Sequence, residues 1–172
     1  MGGRTPPVFL VRRVALQAIE RHPLRQQSEY SMTFESLSDA ERSWLFDQLT
    51  KAAVFANDCG SADLPSLESL DDAFDAFVRL GDAVDANDVV LAVGAAFGEH
   101  LVRTMGFRWG IATDDYGTDI AVLARPDRGD ITIFPVNFVA KRWERRETKF
   151  LIASIGLVEK TLSESAAEWG DP

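Results

Sequence analysis

The sequence predicts a single α+β domain, and three observations carry that prediction. Two stretches, residues 38–57 and 65–81, place apolar side chains at helical spacing behind capping residues. After Gly106 the apolar period changes to two. The alternating segments are then separated by short loops that contain Gly and other turn formers, the mark of an antiparallel meander. At 172 residues, 46% apolar and 26% charged, the chain is close to ordinary globular usage. Disorder over most of its length, collagen-like sequence and a disulfide scaffold are excluded on composition.

From the start of the chain, residues 1–7 read as a flexible tail with Gly and Pro, residues 8–165 as the domain and residues 166–172 as a frayed end. Residues 8–21 read as a short helix, or a strand followed by a helix, with Val8, Val11, Ala15 and Ile19 at helical spacing. Residues 22–34 are polar and read as loop. Ser38 and Glu41 form a capping-box pattern. The helix they open carries Leu45, Leu49, Ala52 and Ala56 on one stripe and is expected to stop near Cys59-Gly60. The next helix follows Pro65, with Leu67, Leu70, Phe74, Phe77 and Val78 as its buried face, Asp71, Asp72, Asp75 and Asp82 outward, and Gly81 as its stop.

A third helix spans about residues 87–106. Its first half is apolar on all sides, as expected of a helix surrounded by protein. Gly94 and Gly98 share a face there. Each costs about 1 kcal/mol of helix propensity against Ala, so their spacing predicts close approach of another element. Three strands follow, at about residues 107–112, 118–124 and 131–134. Asn137 is expected to cap a helix reaching Arg145 or Arg146, and Thr148 to cap a last helix whose stripe is Leu151, Ile155, Val158 and Leu162.

Charge is unevenly spread. Residues 1–30 sum to +3, residues 31–100 to −11 and residues 101–172 to −1, giving −9 overall. An acidic middle argues against nucleic acid, since phosphate contacts need basic density. One basic cluster remains: Lys141, Arg142, Arg145, Arg146 and Lys149, with Glu144 and Glu147 interleaved. It suits a solvated helix face with local ion pairs, or else an anionic ligand or acidic partner. The longest run without a strongly polar residue, 89–98, falls far short of the roughly 20 residues a membrane span requires. One cysteine, Cys59, forms no internal disulfide, and the sequence reads as cytoplasmic.

Several chemistries lack their residues. There is no Gly-Lys-Ser/Thr loop, no Gly-x-Gly-x-x-Gly and no Gly-x-Ser-x-Gly. One Cys and two distant His do not supply a standard zinc site. The turn Asp114-Asp115-Tyr116-Gly117-Thr118-Asp119 is dense in carboxylates. It misses the bidentate Glu of a calcium loop, because Arg125 stands there, and it suits a tight hairpin. No metal or cofactor is expected.

The polar group that stands out is Glu99, with His100 and Arg103, just after the apolar half of the third helix. Glu99 and Arg103 stand in the favourable i, i+4 order. A carboxylate beside the glycine face needs a partner, which Arg142 or Lys141 could also supply. It is either a structural ion pair or a binding or catalytic group. Gly94-x-x-Phe97-Gly98-Glu99, Trp109, Asp115-Tyr116-Gly117-Thr118-Asp119, Phe134-Pro135 and Lys141-Arg142 together resemble a family of bacterial domains of unknown function, over about residues 86–152. The resemblance implies bacterial origin and a shared fold. It marks Glu99, Trp109, Asp115, Tyr116, Asp119, Lys141 and Arg142 as candidate ligand or partner residues, Arg103 joins them through its pairing with Glu99, and no catalytic residue is assigned.

Two functions are expected from this. The first is a non-catalytic protein-binding module, an adaptor, regulator or immunity-type inhibitor, that steers its partner with Asp71, Asp72 and Asp75. The alternative is a small-molecule binder or enzyme with Glu99 in a pocket between the third helix and the sheet.

Overall fold

A computed structural model describes residues 32–57, 64–115, 117–124 and 131–168, with side chains as far as Ser163. The expectations for residues 1–31, the stop at Cys59-Gly60, the loop 125–129, Tyr116 and Trp169 lie outside the described residues. The order is β1 (Thr33–Glu35), α1 (Asp39–Phe55), α2 (Leu67–Leu80), a 3₁₀ turn (Gly81–Ala83), α3 (Ala86–Met105), β2 (Arg108–Asp114), β3 (Gly117–Ala124), β4 (Ile131–Ile133), α4 (Pro135–Arg145) and α5 (Leu151–Glu168).

The fold is α+β, as the periodicity predicts, but the antiparallel sheet has four strands, ordered β1-β2-β3-β4, where three were expected. The extra strand, β1, lies in what reads as a polar loop. Three residues are too few to display a period of two. Its position is fixed by pairing instead: Phe34 stands opposite Ala112, and its ring lies over Gly110, where a Cβ would collide with it. The meander follows as expected, with β2 and β3 paired from Arg108↔Leu123 to Asp114↔Gly117 and β3 with β4 at Val122↔Ile133.

Local signals decide most helix ends. Ser38 and Glu41 form the complete capping box. Ser66 caps α2 by accepting from the Ser69 amide. Gly81, at φ 59°, ends α2, and Gly106, at φ 71°, ends α3. Two expected caps are replaced. α4 begins with Pro135, whose fixed φ and missing N–H suit the first helical position, so Asn137 is left to bond elsewhere. α5 is capped neither by Thr148 nor by any side chain near it in sequence. Asp71 of α2 accepts the main-chain N–H groups of Phe150 and Leu151, both at 3.1 Å. Asp71 is therefore not an outward residue: it is 2% exposed, because the first turn of α5 needs an acceptor there. α5 runs to Glu168.

α3 is the central element. It packs against α1, α2, α4 and α5 and against strands β2 and β3. Its residues from Val89 to Gly98 are buried except Leu91, which is half-buried. The glycine face does what its spacing predicts. A Cβ at Gly94 would lie 2.7 Å from Cα of Val136, and one at Gly98 would run into the Trp109 ring and lie 2.8 Å from Cγ of Pro135. Trp109 and the start of α4 thus sit directly on the α3 backbone. Phe97 stacks on Phe138, with ring centroids 5.3 Å apart.

Candidate functional site

α3 ends its buried run at Gly98, and the next residue is the carboxylate Glu99, whose side chain is 15% exposed. The glycine face is what allows Trp109 of β2 to reach it. The Trp109 indole N–H donates to Glu99 Oε2 at 2.9 Å, and Arg103 Nε donates to Oε1 at 2.8 Å. Each carboxylate oxygen thus holds one donor, one from the sheet and one from the next turn of its own helix. Three candidates from the sequence, Glu99, Arg103 and Trp109, come together. Their arrangement ties helix to strand through charge-assisted hydrogen bonds.

Residues 79–151 match DUF3806, a domain of unknown function. The matched region runs from the end of α2 to the start of α5 and holds the glycine face, the Glu99–Trp109 bond, the hairpin and α4. Neither the curated proteins nor the solved structures give a match. α1 and most of α2 lie outside it, and so does Asp71.

The other candidates within the matched region are distributed rather than convergent. Asp119 is half-buried and accepts from the Asn137 side-chain amide at 2.9 Å. Burial pushes its carboxyl above the ordinary value, the Asn137 bond opposes this, and nearby Asp114 adds to it. Asp115 is exposed in the β2–β3 turn, where Asp114 Oδ1 accepts from the Gly117 amide at 3.1 Å. The Arg142 guanidinium lies 3.8 Å from the Phe138 ring centroid and 5.7 Å from that of Phe150, a cation–π arrangement. Its Nε is buried without a hydrogen-bond partner among the described residues, 3.7 Å from Glu147 Oε2. Lys141 is half-buried. Burial lowers its pKa, and the Arg145 and Arg142 charges lower it further. Neither Lys141 nor Arg142 is bonded to Glu99; Arg103 and Trp109 fill that role.

His100 is a satisfied structural histidine. Its Nε2 lies 2.8 Å from the Pro65 carbonyl oxygen, and burial lowers its pKa. Two contributors were not singled out by the sequence. Asn137 reads as a cap, and nothing local signals its bond to β3. Asp71 reads as one of four outward acids, and the signal that marks it is its spacing. It follows Leu70 and precedes Phe74 by three residues, on the buried flank of α2. Among the described residues no group of three His, Cys, Asp or Glu could hold a metal ion, and no described helix is long and apolar enough to cross a membrane.

Proposed function

We propose that the chain is a non-catalytic, cytoplasmic, bacterial protein-binding module of the adaptor, regulator or immunity-inhibitor kind. The observation that carries this reading is the outward display of large apolar side chains. Phe46 is 70% exposed and Val54 56% exposed, two turns apart on one face of α1, while polar Gln48 is buried on the opposite flank. α1 also buries Leu45 and Ala52, so Phe46 and Val54 are apolar residues beyond those its core face uses, and exposed apolar surface of this kind fits partner contact. Engagement of both Glu99 oxygens by donors of the same chain suits a structural carboxylate better than a free acid or base. Of the acids expected to steer a partner, Asp71 is buried and Asp75 is only 18% exposed and paired with Arg79, which leaves Asp72, exposed and paired with Lys149.

The test is co-purification from the native host with the intact chain and with Phe46→Glu. The expected result is a stoichiometric partner that Phe46→Glu loses at unchanged melting temperature. Retention of the same partner by Phe46→Glu excludes this face, and no partner with either chain contradicts the reading. A small molecule that raises the melting temperature of the intact chain but not of Glu99→Gln would favour the pocket alternative instead.

A further inference from the structure

The strand register sorts the sheet into two faces. Trp109, Ile111, Ile120, Val122, Ile131 and Ile133 belong to the core beneath the helices. The alternate residues Phe34, Gly110, Ala112, Ala121 and Leu123 share the opposite face, together with Arg108. Among the described residues α3 and α4 make the main helix contacts to the sheet, α3 from the first side, and α4 also reaches Asp119 through Asn137. An antiparallel sheet with a wet second face carries polar residues there. This one carries Gly, two Ala, Leu and Phe beside Arg108, Asp119 and Thr132. Ala112 is 2% exposed, Ala121 0% and Leu123 4%, although none of the three belongs to the core under the helices. Thr132, paired with Leu123, has a buried hydroxyl without a hydrogen-bond partner among the described residues.

We propose that this second sheet face is the docking surface of the chain's own N-terminal segment, residues 8–21. Chain length and position favour that occupant. The chain enters the sheet at Thr33 in the edge strand β1, and 31 residues precede Met32. The eleven residues between Arg21 and Thr33 extend to roughly 40 Å, whereas four strands span only about 15 Å. The segment supplies Val8, Val11, Ala15 and Ile19 on one stripe, with Phe9, Leu10, Val14 and Leu16 beside it. The Phe34 ring covers Gly110, which leaves Ala112, Ala121 and Leu123 as the contact for such side chains. This docking is independent of the protein-binding reading.

The experiment uses the full chain with Cys59→Ser removing the native thiol. A nitroxide attached at Gln17→Cys is expected to broaden the amide signals of Ala112, Ala121 and Leu123 more than those of α1 or α5. A second measurement labels Ala121→Cys with a small alkylating reagent. Its rate should rise at least tenfold when Val11→Asp and Ile19→Asp are added, with near-UV circular dichroism unchanged. Broadening centred on the helices, or none, would overturn the proposal. So would equal labelling rates in the two chains, whether both slow or both fast. If Val11→Asp/Ile19→Asp does not fold, the nitroxide result decides alone.

Discussion

Asp71 and Glu99 are carboxylates on neighbouring helices, and what donates to them separates their roles. Asp71 is 2% exposed and accepts two main-chain amides at the start of α5. Glu99, at 15% side-chain exposure, accepts from an indole and a guanidinium. Main-chain donors do not move away when their acceptor is lost, and they are left buried without a partner. Side-chain donors rotate towards water. The residue that reads as surface charge is therefore the more firmly built of the two, and it lies outside the matched region, while Glu99 lies within it.

The largest expected effect follows directly. Asp71→Ala strands two buried N–H groups and should lower unfolding free energy by about 3 kcal/mol, read from urea melts. A loss under about 1 kcal/mol would erase the contrast with Glu99. Gly98→Ala should cost about 2 kcal/mol, because its Cβ meets the Trp109 ring and displaces the donor to Glu99. Gly156 is the matched control. It sits mid-helix in α5 with no described atom within 4 Å of where a Cβ would stand, so Gly156→Ala should stabilise by about 0.5–1 kcal/mol. Asp72→Ala, next to Asp71 but 65% exposed and paired with Lys149, should change stability by no more than about 0.5 kcal/mol.

The smallest effect is a pH dependence at His100. Burial holds its pKa below the usual 6.5, so the folded state binds fewer protons than the unfolded one just below that pH. Its contribution is thus fully present above pH 6.5 and is lost as pH falls through the folded-state value. His100→Gln should flatten that part of the stability–pH curve, and an unchanged slope would remove His100 as its source.

Much of this arrangement is legible in the sequence where the signal is local. The capping box at Ser38–Glu41, the stops at Gly81 and Gly106, the meander and the glycine face each depend on residues a few positions apart. The Glu99–Arg103 pair is legible for the same reason. What stays hidden depends on distant partners. β1 is three residues long and exists by pairing with a strand nearly eighty residues away. Asp71 turns inward because the amides of Phe150 and Leu151 wait there, and Asn137 leaves its capping position because Pro135 opens α4 and Asp119 lies across from it. Of the polar candidates, the part readable along one helix was found, and the tie to Trp109 needed the third dimension.

The central claim is that Glu99 is the bond between α3 and the sheet. The most direct measurement is a double-mutant cycle on the unfolding free energies of Glu99→Ala, Trp109→Phe and the pair. The cycle cancels the packing change at the ring and leaves the hydrogen bond. The account predicts a coupling of about 1.5 kcal/mol, with Glu99→Ala also shifting the Trp109 indole N–H resonance. A coupling indistinguishable from zero, with Glu99→Ala as stable as the parent chain, would contradict it.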